Sequence, residues 1–178
     1  GIIAVPRVLA RNEAAGCILL SYSDGEPVAP GSLTPELVGQ ALDFFLALNT
    51  GRDGTAPLPD ASEACHSIGQ YATLIDGRLA RLSDEVDDDD ARIFLERDLL
   101  PTWKSIRRDA EVAAGDRYTD PLPQDQRCVS PSDFGFHNAL VDASGNATFI
   151  DFEYAGMDDP ARAVCDFFCQ VAVPVPVS

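Results

Sequence analysis

The chain has 178 residues, 46% of them hydrophobic, which is enough to bury a core and argues against a disordered segment. Its 29 acidic and 13 basic residues give a formal charge of −16. That field repels phosphate backbones and argues against nucleic acid as partner, whereas a cationic substrate or metal ions would suit it.

No apolar run approaches the roughly 20 residues that span a bilayer. The opening Gly1-Ile2-Ile3-Ala4-Val5-Pro6 lacks the charged region and cleavage pattern of a signal peptide. The expectation is a soluble cytoplasmic protein without a membrane partner. The five cysteines, Cys17, Cys65, Cys128, Cys165 and Cys169, are odd in number and include no CxxC pair. They signal neither a disulfide framework nor a zinc site, and buried reduced thiols are expected.

In chain order, Arg7-Val8-Leu9-Ala10 and Cys17-Ile18-Leu19-Leu20-Ser21-Tyr22 read as two strands of a hairpin joined by a polar turn. Thr34-Pro35 supplies an N-cap and first-turn proline for a helix whose apolar stripe is Leu37, Val38, Ala41, Leu42, Phe45 and Leu46. A Gly- and Pro-rich loop over 51–59 follows. A second helix carries Ala64, Ile68, Tyr71, Ala72, Ile75, Leu79 and Leu82 at steps of three and four. His66 lies off that stripe and reads as a surface histidine. Asp87-Asp88-Asp89-Asp90 reads as a solvated, helix-initiating turn, since carboxylates favour helix N-termini. The third helix starts near Ala91 and should kink or break at Pro101, with Trp103 and Ile106 in the core and a surface loop over 116–126. No internal repeat is visible.

The chemistry is concentrated in Ser130-Pro131-Ser132-Asp133-Phe134-Gly135-Phe136-His137-Asn138 and in Ile150-Asp151-Phe152-Glu153-Tyr154. Residues 138–141 and 147–150 read as a hairpin, so Asn138 enters one strand as Asp151 leaves the other. An amide oxygen and a carboxylate then meet at the open end, the hard oxygen donors that Mg2+ takes while substrate phosphates complete its shell. Asp133, five residues before Asn138, is placed to take the proton of an attacking hydroxyl. His137 reads as a loop or packing residue.

Asp133-x-x-x-x-Asn138 followed by Ile150-Asp151-Phe152-Glu153, with Asp159-Pro160 and Asp166 beyond, resembles the catalytic and metal loops of the aminoglycoside phosphotransferase and choline kinase family. The resemblance implies an α+β chain: the mostly helical C-terminal lobe of a protein kinase-like fold, with a short catalytic hairpin and a remnant of the N-terminal lobe. Residues 1–25 would end the small lobe and form its hinge, and 26–178 would be an incomplete helical lobe. By the same resemblance Asp133 is the catalytic base, Asn138 and Asp151 are metal ligands, Asp166 braces the catalytic loop, and Ser21-Tyr22-Ser23 meets adenine through backbone groups. Glu153 lies near metal and acceptor with no single role implied.

The implied activity is ATP- and Mg2+-dependent phosphorylation of a hydroxyl on a small molecule. Two other readings stand beside it: a non-catalytic kinase-like binding module, and a metal-dependent phosphate hydrolase using the same oxygens. The chain departs from the family in having Pro131-Ser132 where His-Gly usually precedes the aspartate. It also shows no Gly-rich phosphate loop, and its single lysine, Lys104, lies in a helical pattern far from any strand. Feeble ATP binding by this segment alone is therefore expected. Acceptor identity and oligomeric state are not encoded in any motif.

Overall fold

The computed structural model describes residues 2–51 and 58–176, so most of the loop expected over 51–59 lies outside the described residues. Helices and small antiparallel sheets make an α+β chain. It divides into two compact units, Gly1–Ser62 with Arg127–Ser178, and Glu63–Gln126.

In the first unit, strands β1 (Val8–Asn12) and β2 (Cys17–Leu20) pair antiparallel. Asn12 caps the turn by accepting from the Ala15 N–H at 3.1 Å, and Gly16 closes it at φ 61°, a left-handed conformation that glycine adopts without strain. Helix α1 (Pro35–Asn49) starts as the sequence predicts, with Thr34 Oγ1 accepting from the Leu37 N–H at 3.4 Å. Its buried face is rotated from the expected stripe. Leu42 and Leu46 are exposed, while Phe44, outside the stripe, is buried beside Ala41. The reason is tertiary: Phe44 stacks on Phe149 with centroids 4.6 Å apart, and burying an aromatic ring outweighs burying a leucine.

The second sheet has the order β3 (Glu26–Pro27), β5 (Ala139–Val141), β6 (Ala147–Phe149). The hairpin β5–β6 is the one read from the sequence, with Ala139 opposite Phe149 and Val141 opposite Ala147. Strand β4 (Cys128–Ser130) pairs with β7 (Gly156–Asp158), and α5 (Pro160–Phe168) follows, capped by Asp159. Two amide side chains of α1 tie these pieces together. Asn49 accepts from the Val129 N–H at 2.7 Å and donates to its carbonyl at 3.1 Å. Gln40 donates to Gly145 O at 2.9 Å and accepts from the Ala147 N–H at 2.7 Å. The core under them is largely phenylalanine: Phe44, Phe134, Phe136, Phe149 and Phe167.

In the second unit, α2 (Ile68–Glu85) is capped by Ser67 and buries Ala72. His66 is buried, only 8% exposed, contrary to the surface position expected for it. Its carbonyl accepts from the Leu122 N–H and its own N–H donates to Gln70 Oε1 at 2.6 Å, so the first turn of α2 and the segment after α4 hold its backbone. The acidic run does initiate a helix: Asp88 accepts from the Ala91 N–H at 2.7 Å and caps α3 (Asp89–Phe94).

Pro101 breaks nothing. One π-helical turn, Leu95–Leu99, joins α3 to α4 (Leu100–Ala114) with helical backbone throughout, and this local widening accommodates the hydrogen bond that the proline cannot donate. Trp103 is half-buried and donates to Asp76 Oδ1 at 2.8 Å, but Ile106 is exposed rather than in the core. Cys65 and Cys128 are buried as expected, whereas Cys17, Cys165 and Cys169 are exposed. Among the described residues no helix is long and apolar enough to cross a membrane.

Candidate active site

The site grows out of the end of β4. Ser130 is fully buried, and its hydroxyl accepts from the Ser132 N–H at 3.0 Å, which turns the chain sharply. Ser132 and Asp133 then take φ 53° and 55°, left-handed values that non-glycine residues hold at a cost of order 1–3 kcal/mol each. Among the described residues, three of the four non-glycine residues with positive φ lie in this region, the third being Asp151 at 65°. Such backbone persists only where its surroundings over-determine it.

The surroundings do so with rings. Phe134 and Phe136 are both buried, on either side of Gly135. Phe134 packs on Phe167 at 5.0 Å and on Phe149 at 5.5 Å, and Phe136 packs on Phe167 at 5.6 Å. With those two anchors sunk in the core, the flanking Asp133 is turned out, its side chain 59% exposed.

Asn138 ends the short 3₁₀ turn Phe136–Asn138 and leads into β5. Its Nδ2 donates to the Asp133 carbonyl at 3.1 Å and to Asp133 Oδ2 at 3.4 Å. Its own carbonyl accepts from the Ile150 N–H at 2.9 Å, so the ladder sets Asn138 directly beside the chain that continues into Asp151. The hairpin thus brings the expected amide and carboxylate to one end, with Asp133 hydrogen-bonded to the amide.

Tyr154 reports the same convergence. Its phenol is pushed above its ordinary value first by hydrogen bonding to Glu153 and by that carboxylate's charge, then by the charges of Asp151 and Asp133. Half-buried Asp166 on α5 faces the backbone N–H of Asp133. Burial raises its carboxyl, opposed by Arg162 and reinforced by Asp158 and Asp133.

Ser21, Tyr22 and Ser23 lie elsewhere on this unit. They line an open cleft of about 590 Å3 with Asp142, Ser144 and Thr148, at the turn end of the hairpin rather than its open end. Ser21 is tied to Arg7 in both directions, its N–H donating to Arg7 O at 2.8 Å and its hydroxyl accepting from the Arg7 N–H at 2.9 Å. Tyr22 is exposed.

His137 is more than a packing residue. Its Nε2 lies 3.1 Å from Asp133 Oδ2, and Gln170 Nε2 approaches the same ring nitrogen at 3.3 Å. The i,i+4 spacing from Asp133 was the available signal, but it holds only because the intervening segment turns on two buried phenylalanines.

Residues 1–171 match the phosphotransferase enzyme family. The chain belongs to that family. No curated protein and no solved structure matches it.

For a phosphotransferase of this family, ATP and Mg2+ are the implied cofactors, and the donor set fits them. Asp151 and the Asn138 amide offer hard oxygens from one end of a hairpin, and Asp133 adds a carboxylate beside them. Among the described residues no group of three His, Cys, Asp or Glu side chains is arranged to hold a metal. Magnesium commonly takes one or two protein ligands and completes its shell with phosphate and water.

Proposed function

We propose that this member of the phosphotransferase enzyme family transfers the γ-phosphoryl group of ATP to a hydroxyl of a small molecule. The acceptor would be aminoglycoside- or choline-like, and a cationic one suits the −16 charge. The observation that carries the reading is the hydrogen-bonded pair Asp133–Asn138 set beside Asp151 by the β5–β6 ladder. The helical surroundings of that pair support the protein kinase-like lobe that the motif implies. A cytoplasmic location is part of the same proposal.

Asn138 and Asp151 would hold magnesium, which supplies charge neutralisation at the transferring phosphoryl group when bound. Asp133 orients the acceptor hydroxyl and takes its proton as the new O–P bond forms and the bond to the β,γ-bridging oxygen breaks, releasing ADP. Asp166, whose carboxyl lies toward the Asp133 backbone N–H, would brace the loop from behind. Glu153, bonded to Tyr154 at the rim, adds negative charge where a cationic acceptor would approach. The adenine end would lie in the cleft beside Ser21, Tyr22 and Ser23, at the turn end of the hairpin whose open end would hold the phosphates.

Asp151→Asn tests the metal assignment: in the intact protein, ADP release from Mg-ATP with an alcohol acceptor should fall by at least about 10²-fold while the thermal midpoint stays near wild type. Undiminished turnover would remove Asp151 from the site. ADP release that proceeds equally without any alcohol would favour the hydrolase.

A further inference from the structure

The His-Gly that the family usually places before its aspartate is replaced here by Pro131-Ser132. On the reading of Asp133 as the base, we propose that His137 is the positioning residue of this site, holding the Asp133 carboxylate from the C-terminal side of the loop, with Gly135 and Gln170 forming its seat. Three observations carry this, independent of any titration.

The first is the contact itself: His137 Nε2 stands 3.1 Å from Asp133 Oδ2, with the imidazole only 19% exposed. The Nε2–H tautomer donates to that oxygen. Asn138 Nδ2 approaches the same Oδ2 at 3.4 Å. One carboxylate oxygen is therefore held twice by protein donors, and Oδ1 is the oxygen that takes the acceptor's proton.

The second is Gly135. Its φ of 175° is extended backbone that any residue adopts, so glycine is not required by conformation. It is required by space. A Cβ there would lie 2.8 Å from His137 Nδ1, 3.1 Å from Cε1 and 3.3 Å from Gln170 Cγ. Any larger residue drives the imidazole out of its place over the loop.

The third is Gln170. Its Oε1 accepts from the Ala172 N–H at 3.0 Å, which fixes the amide so that Nε2 faces the imidazole at 3.3 Å. With the Nε2 proton given to Asp133, the Gln170 amide makes no hydrogen bond to that nitrogen and seats the ring by packing alone. Phe136, the neighbour of His137, is fully buried, and this anchors the base of the arrangement.

The test compares His137→Ala, His137→Gln and Gly135→Ala with Asp133→Asn in the intact protein, reading ADP release from Mg-ATP with water or an added alcohol as acceptor. A misplaced base costs on the order of 10²-fold, so kcat should fall by about that factor in His137→Ala and Gly135→Ala, with KM for Mg-ATP unchanged. His137→Gln, which keeps a side-chain N–H, should recover a large part of the loss. An unchanged kcat in His137→Ala alongside an inactive Asp133→Asn overturns the positioning role and leaves the base assignment intact. An active Asp133→Asn overturns the base assignment instead.

The 13Cγ resonance of Asp133 reads the contact without turnover. It should move in His137→Ala and in Gly135→Ala and return toward wild type in His137→Gln. A resonance that ignores all three substitutions overturns the proposal.

Discussion

Asp166 shows how one carboxylate couples the loop's geometry to pH. Burial raises its carboxyl above the ordinary 3.8, and Arg162 offsets only part of that. The folded state therefore binds this proton more tightly than the unfolded chain. The group's contribution is intact below pH 3.8 and is lost as pH rises through the raised value. Asp166→Asn keeps an oxygen for the Asp133 N–H and removes the charge. Its stability, from urea midpoints across a pH series, should gain on wild type as pH rises above 3.8; parallel curves would show that the charge is not penalised. Ser132 and Asp133 carry the loop's strain, and no signal for it exists in the sequence. Serine in left-handed backbone is visible only once Ser130 Oγ is seen to hold the Ser132 N–H.

At the scale of elements, the β5–β6 ribbon was legible because its information is local. Turn residues 143–146 between two short apolar runs fix a hairpin, and a hairpin of known register puts Asn138 and Asp151 at one end whatever surrounds it. The capping at Thr34 and the helix start in the acidic run, capped by Asp88, were equally local. What failed to show was decided by neighbours distant in sequence. Phe44 displaced Leu42 and Leu46 from the buried face of α1 because Phe149, 105 residues away, offers it a ring to stack on.

His66 was enclosed by the segment around Leu122, and Pro101 was accommodated by a π turn that periodicity does not encode. His137 reads from sequence as a loop or packing residue because its contact with Asp133 depends on how their shared loop folds. The loop's dependence on its rings is testable. Phe136→Ala removes a fully buried side chain and should destabilise the protein by about 3–5 kcal/mol in urea denaturation. A loss below about 1 kcal/mol would mean that Phe136 does not anchor the loop.

Taken whole, the molecule is dominated by its charge of −16, set against a site whose own groups are also acidic. Such a field attracts cations over roughly a Debye length and loses that reach in salt. For a cationic acceptor, kcat/KM should fall as ionic strength rises from 10 mM to 500 mM, on the order of tenfold, while a neutral acceptor changes little. Equal salt responses would divorce the charge from substrate capture. The same acidity offers a divalent ion other places to bind, above all the run Asp87-Asp88-Asp89-Asp90.

The most direct test of the account is therefore where a divalent ion lodges. Mn2+ titrated with ATP into the isotope-labelled protein broadens resonances near the ion. Broadening should centre on Asp133, Asn138 and Asp151 and be lost in Asp151→Asn. Broadening centred on residues 87–90, or unchanged by that substitution, would contradict it.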